Sequence, residues 1–207
     1  MIDEGVIKFE SRWRKSPPVD DASLPELIRW RRPLYAAKLI GHYEEPDVGF
    51  GNLSVRAETP GQFVISGTQT GHLPELGPEH FALVTGYDID RNVVASRGAT
   101  EASSESMTHA SIYELDDEIR AVVHVHSEEL WVGLKDSLPA TRGDVAYGTP
   151  QMAREFSRLY RESDFATTGV AVMTGHENGL VSTGRTVQEA AERILSVLEA
   201  FLQNAPE

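Results

Sequence analysis

Two histidines alternate with valines in Ala121-Val122-Val123-His124-Val125-His126-Ser127. On an extended strand residues i and i+2 leave the same face, so both imidazoles point one way and the valines the other. Two rings placed like this can direct nitrogens at a common ion about 2.0–2.1 Å away, and neutral imidazole is the commonest metal ligand. A pair of hydrogen-bonded core histidines is the competing reading. A third ligand must come from elsewhere. His42 and His80 fall at element ends, His72 follows a turn-rich stretch, and His109 lies inside a helical pattern that opens near Glu105. His176 differs, because Thr174-Gly175-His176-Glu177-Asn178-Gly179 is a glycine-flanked corner after an apolar run, and such corners present functional groups from a rigid scaffold. Asn178 would face the same way as His176 if the chain stays extended there; a plain surface turn is the alternative.

Three further stretches offer N–H and O–H donors to an anion: Gly51-Asn52-Leu53-Ser54, Ser66-Gly67-Thr68-Gln69-Thr70-Gly71, and Ser103-Ser104 at the start of a helix. Backbone N–H groups at a helix N-terminus favour negative charge, and glycine lets the backbone approach an oxyanion closely. Each stretch taken alone is also an ordinary turn or cap. Glu105 follows the serine pair directly. Its carboxylate either complements the helix dipole or stands beside a metal site as the group that moves a proton to or from carbon.

The elements that must position these residues follow from periodicity. Residues 1–23 read as an N-terminal arm, with a strand-like Val6-Ile7-Lys8-Phe9, a basic Arg12, Arg14 and Lys15, and then Pro17-Pro18; residues 24–207 read as one domain. Apolar residues at Leu27, Trp30, Leu34, Ala37 and Ile40 predict a helix or helix pair over 24–43, bent at Pro33. Short runs at 52–56, 62–66, 81–87 and 92–96 read as antiparallel strands, and 104–115 as a helix. The histidine strand spans 119–125 and gives way to a helix through Leu130 and Trp131. Thr149-Pro150 supplies an N-cap and first-turn proline for a helix carrying Met152, Phe156, Leu159 and Tyr160, and strands follow at 169–173 and 179–182. Thr186 and Glu189 form a capping box before a terminal amphipathic helix whose apolar face runs from Val187 to Leu202. The fold class is α/β, with a mostly antiparallel central sheet and helices on both sides.

Composition narrows the function. A chain of 207 residues without cysteine has no disulfide and no thiolate ligand, so any metal must be held by His, Asp or Glu. Against 32 Asp+Glu stand 19 Lys+Arg, a net charge of −13, the wrong sign for nucleic acid as a partner. An anionic metabolite would have to be met locally, by N–H groups, hydroxyls or a cation. No window approaches the roughly 20 apolar residues of a membrane span, and the N-terminus lacks a secretory pattern, so a cytoplasmic protein away from membranes is expected.

Taken together, these stretches resemble the class II aldolase/adducin family over about residues 24–205. Gly51-Asn52-Leu53-Ser54-Val55-Arg56 is similar to its GN-x-S-x-R turn, Ser103-Ser104-Glu105 with His109 and Ile112-Tyr113 to its SSE…H…IY segment, the His124–His126 strand to its HxH, and Gly179–Ala190 to its C-terminal strand and helix entry. The resemblance implies a three-layer α/β/α fold, a homo-oligomer (usually a tetramer), and a divalent metal, commonly zinc, on three histidines. Two of these map onto His124 and His126. The family's third histidine precedes a glycine, a place taken here by Asn178; His176, two residues earlier, is the expected third ligand, with Asn178 supporting it or substituting for it. Ala102 replaces the family's proline. Glu105 matches the acid/base glutamate, and Gly51, Asn52, Ser103 and Ser104 match the phosphate-holding positions, with Thr70-Gly71 in a turn lengthened relative to the usual one. The expected activity is metal-dependent cleavage of a small sugar-like ketose, phosphorylated, through an enediolate. The same chemistry serves epimerases, dehydratases and decarboxylases, and an adducin-like assembly module without catalysis is the remaining alternative.

Overall fold

Apolar residues that alternate along a strand must be covered on both sides when the strand lies in the middle of a sheet, and here they feed two separate cores. The computed structural model describes residues 5–45 and 47–204. In chain order the elements are β1 (Glu10–Lys15), α1 (Leu24–Ala36), β2 (Gly41–Tyr43), β3 (Val48–Phe50), β4 (Asn52–Arg56), β5 (Phe63–Ser66), β6 (Phe81–Asp88), β7 (Val93–Gly98), α2 (Ser106–Tyr113) and β8 (Ala121–His126). After these come α3 (Glu128–Leu134), α4 (Pro150–Glu162), α5 (Phe165–Thr168), β9 (Val170–Val172), β10 (Gly179–Gly184) and α6 (Val187–Asn204). Eight strands form one sheet in the order β1-β7-β6-β5-β4-β8-β10-β9, and β2 and β3 form a separate two-stranded hairpin. Every pairing in the large sheet is antiparallel except β1 with β7.

Ala121, Val123 and Val125 of β8 join Leu27 and Leu34 of α1 and Ala190, Ala191 and Ile194 of α6 in one core. Val122 belongs to the opposite core, with Met107 and Ile112 of α2 and Met152, Phe156 and Leu159 of α4. The layers are therefore α1 and α6, sheet, α2 and α4. His124 and His126 share the parity of Val122 and lie on the α2 side.

Local signals act as their chemistry requires. Thr149 Oγ1 accepts the Met152 N–H at 3.3 Å, with Pro150 opening α4. Thr186 Oγ1 accepts from Glu189 N at 3.0 Å, while the Glu189 carboxylate reaches back to Arg185 N at 2.8 Å, one residue before the expected partner. Two expectations are corrected. The predicted helical region 24–43 ends at Ala36, and Gly41–Tyr43 is a strand, because Gly49 and Gly71 let the β2–β3 hairpin lie close against the turn at Gly71 while Gly41 leaves room for the Phe50 ring. In the arm the strand is Glu10–Lys15 and not Val6–Phe9; it adds an edge to the main sheet, with Phe9 buried in the α2-side core.

Arg31 of α1, 2% exposed, donates to the carbonyls of Thr70, Gly71 and Pro74 at 3.1, 3.2 and 3.3 Å. Burial lowers its pKa to about 10, so it remains charged at neutral pH. One fixed fork thus holds the 70–74 turn. Arg31→Ala should destabilise the protein by roughly 2–4 kcal/mol in urea unfolding, because it orphans several buried carbonyls at once, and Arg31→Lys should recover less than half, lacking the fork.

Candidate active site

Three imidazoles converge on one point. His124 and His126 project from β8, and His176 comes from the turn that joins β9 to β10. His126 Nε2 lies 3.0 Å from His124 Nε2 and 2.8 Å from His176 Nε2. Their ligand atoms all lie within 4.8 Å of one another, and among the described residues no other group of three or more His, Cys, Asp or Glu side chains gathers in a way that could hold a metal ion. All are buried.

The outer nitrogens are held as firmly as the inner ones. His124 Nδ1 faces the Leu180 carbonyl at 3.0 Å. A carbonyl can only accept, so the proton sits on Nδ1 and the Nε2 lone pair faces inward. His126 Nδ1 meets the Tyr43 hydroxyl at 3.1 Å, and His176 Nδ1 lies 3.4 Å from Glu105 Oε1. Burial first, and the His176 ring next, keep His124 and His126 well below the ordinary imidazole pKa, so both are neutral at pH 7. A single proton on His126 Nε2 can lie along only one of its two close contacts. Without that proton the His124 and His126 lone pairs face each other at 3.0 Å, whereas a cation between the rings would satisfy both contacts. The donor set fits a metal ion: convergent, with each ring oriented by an outer partner.

The turn bearing His176 is closed by Met173 N–H to Gly179 O at 2.8 Å and Gly179 N–H to His176 O at 2.9 Å. A Cβ at Gly179 would stand 2.7 Å from His176 Cδ2 and 3.2 Å from His124 Cε1, so glycine here is what admits the two rings. Asn178 takes the left-handed conformation, φ 66°, and the chain does not stay extended. Its side-chain amide donates to the Tyr43 hydroxyl at 3.4 Å, which places it behind His126.

Glu105 occupies the N-cap position of α2, yet makes no capping bond with its side chain; the carboxylate, fully buried, turns to His176 instead. Ser103 Oγ accepts the Glu105 N–H at 3.2 Å, and both Ser103 and Ser104 are buried. Asn52 is directly cross-strand from His124 in the β4–β8 ladder, so their side chains leave one face side by side. Its buried Oδ1 has no hydrogen-bond partner among the described residues. Gly51 takes φ 78° where a Cβ would strike Ile40. Thr70 spends its hydroxyl proton on Gly67 O at 2.8 Å, so any donor it offers a ligand is its backbone N–H. Gly71 lies against the Phe50 backbone, and the Phe50 ring stacks on His126 with centroids 5.4 Å apart.

Several residues of the site carry no signal in the sequence. Tyr43 falls in a hairpin strand where a helix is expected, and Phe50 of the same hairpin lies between the expected elements. Tyr147, whose ring meets His176 at 4.2 Å between centroids, lies alone in a polar loop. Ser54 Oγ bridges His109 Nδ1 and the Tyr113 hydroxyl at 2.7 Å each, so three residues that the sequence singles out separately form one buried cluster.

An eight-stranded sheet between two helix layers, with three imidazoles gathered beside a buried carboxylate, defines a three-layer α/β protein with a histidine triad that could hold a metal ion. Residues 32–204 match the family model of the Class II Aldolase and Adducin N-terminal domain, and the chain belongs to that family. YgbL from Escherichia coli, a putative aldolase/epimerase/decarboxylase, is 18% identical, with 87% of this chain and 86% of that one covered and a TM-score of 0.64. An L-fuculose 1-phosphate aldolase is 18% identical over 90% and 87%, with a TM-score of 0.62. The l-fuculose-1-phosphate aldolase from Thermus thermophilus is 21% identical over 88% and 97%, with a TM-score of 0.57. At these identities the likeness is one of fold. No curated protein matches the chain by sequence. No helix among the described residues is long and apolar enough to cross a membrane.

A buried neutral imidazole makes stability depend on pH in one direction. His109 is fully buried, and burial lowers its pKa to about 3. The unfolded chain takes up this proton near pH 6.5 and the folded protein only near 3, so the contribution is present above about 6.5 and is lost as pH falls through that window. In chelator-treated protein, urea unfolding at pH 6, 5 and 4 should show His109→Gln with a slope shallower than wild type by about 1.4 kcal/mol per pH unit.

Proposed function

We propose that the protein is a divalent-metal-dependent lyase of the aldolase type, with zinc as the ion, acting on a small phosphorylated sugar-like ketose. The carrying observation is the inward convergence of three oriented imidazoles with a buried carboxylate 3.4 Å from one of them. In this reading His124, His126 and His176 hold the ion through Nε2, and Asn178 steadies His126 through the Tyr43 hydroxyl. A divalent ion held there supplies electrophilic stabilisation of negative charge on the substrate's oxygens.

The chain's own residues supply the rest. Glu105 gives a proton to, or takes one from, the substrate carbon, in a cleft where burial removes competing water. Asn52, Ser103 and Ser104, with the N–H groups near Gly51, Thr70 and Gly71, hold the substrate's anionic end and fix its reacting carbon against Glu105. The family supports a homo-oligomer, a tetramer, as the working form. An epimerase or decarboxylase reading draws support from the name of the YgbL neighbour. The two part on products: the lyase releases an aldehyde, and the others conserve the carbon skeleton or release carbon dioxide.

Metal analysis of purified protein should give close to one zinc per chain, and His124→Ala should lower it at least tenfold; unchanged content would remove the proposed site. Glu105→Gln should keep its metal and lose 10²-fold or more in kcat with KM little altered, measured by aldehyde release.

A further inference from the structure

The corner that carries His176 lies on the segment 139–148, and that segment is tied to α4. We propose that Glu155, in the middle of α4, is a positioning residue for His176, acting through the backbone of Arg142. For the metal, this rests on the reading of His176 as one of its ligands.

The segment first runs beside β9, where Val172 N–H donates to Pro139 O at 2.8 Å and Thr141 N–H to Val172 O at 3.0 Å. From there it reaches the corner itself. Thr174 Oγ1 donates to the Thr141 carbonyl. A Cβ at Gly175 would run into the Val145 carbonyl and stand 3.0 Å from Arg142 O, so glycine is what lets the residue before His176 rest on these two carbonyls. Two residues past Val145, the Tyr147 ring meets the His176 ring at 4.2 Å between centroids. The place of this segment therefore sets the place of His176.

Glu155 fixes that place. It is buried, and its Oε2 accepts the Arg142 N–H at 2.9 Å. Arg158, one turn further along α4, closes on the same carboxylate with Nε at 3.2 and 3.3 Å and a terminal nitrogen at 2.8 Å, and that nitrogen also donates to the Ala140 carbonyl at 3.1 Å. One ion pair thus ties both Ala140 and Arg142 to the helix. Hydrogen bonding from Arg158 lowers the Glu155 pKa, so the carboxylate is charged at neutral pH. The helix behind it is anchored by Met152, Phe156 and Leu159 in the α2-side core. Desolvation offsets much of the attraction within a buried ion pair, so what this one contributes is geometry more than stability. A metal ligand depends on such outer contacts for its orientation.

The test reads ring position and metal affinity separately. Chelator-treated wild type, Glu155→Ala, Arg158→Met and Tyr160→Phe are compared by NMR for the cross-peak between the Tyr147 and His176 rings, and each is then titrated with zinc against a competing chromophoric chelator. Tyr160→Phe breaks the bond from the same helix to Asp116 and controls for general damage to α4. The cross-peak should be lost in Glu155→Ala and weakened in Arg158→Met, and the zinc dissociation constant should rise about tenfold and about threefold, with Tyr160→Phe matching wild type in both. If Glu155→Ala does not fold, Arg158→Met decides by the same two readings. A folded Glu155→Ala that keeps the cross-peak and the affinity overturns the proposal, as does an equal loss in Tyr160→Phe or a wild type without the cross-peak. Wild type that shows the cross-peak but binds no zinc removes the metal reading, and loss of the cross-peak in Glu155→Ala then upholds the positioning role by itself. A lost cross-peak with zinc affinity unchanged likewise removes His176 as a ligand and leaves Glu155 as the group that places it.

Discussion

Three imidazole nitrogens face one another in the interior, where burial disfavours charge on His124 and His126, and much of the architecture serves that arrangement. Each ring is held by its other nitrogen: His124 by the Leu180 carbonyl, His126 by the Tyr43 hydroxyl, His176 beside Glu105. These partners come from β10, from the β2–β3 hairpin and from the start of α2. The β9–β10 connection does two jobs, since its turn carries His176 and its second strand carries the carbonyl that fixes the tautomer of His124. Each outer contact fixes the orientation of a ring, so these distant elements form one structural unit around the triad.

The α2 helix shows what this demands of the fold. All eight of its residues are buried, although Ser106, Thr108, His109 and Ser111 are polar. An ordinary surface helix keeps a polar face for water, and α2 keeps none because it lies beneath the site, with α4 packed on its outer side. Its hydroxyls are satisfied locally: Ser106 donates to Ser103 O at 2.6 Å and Ser111 to Thr108 O at 2.7 Å. His109 joins Ser54 and Tyr113 in a buried cluster that links the helix to β4. Polar side chains here knit a layer that apolar packing alone would leave free to slide, and Glu105 at its head inherits that rigidity.

Glycine and charge set the shape of the remaining walls. Gly179 leaves room for two imidazoles that any side chain would displace, and Gly71 lets its turn touch the Phe50 backbone while Arg31 grips the same turn from below. The first residues of the chain, outside the region that matches the family, close the sheet edge through β1 and bring Lys8 against Tyr147. The family's common core and this chain's own leading segment thus meet at one place.

The sequence by itself determined the pieces whose signals are local. Alternation placed His124 and His126 on one face of a strand, Thr149-Pro150 and Thr186 with Glu189 started their helices, and the absence of cysteine confined any metal to imidazole and carboxylate. Glycine-flanked His176 stood out for the same reason, since a corner is a local property. Tertiary structure alone decided which distant groups meet: that Tyr43 stands behind His126, that Asn178 turns left-handed and reaches that tyrosine, that Glu105 faces His176 and does not cap its helix, and that the arm becomes an edge strand. The physical reason is range. Periodicity, capping and turn chemistry act over a few residues along the chain, whereas the pairing of β8 with β4 and β10, and the burial it enforces, act between residues whose separation in sequence no local pattern encodes.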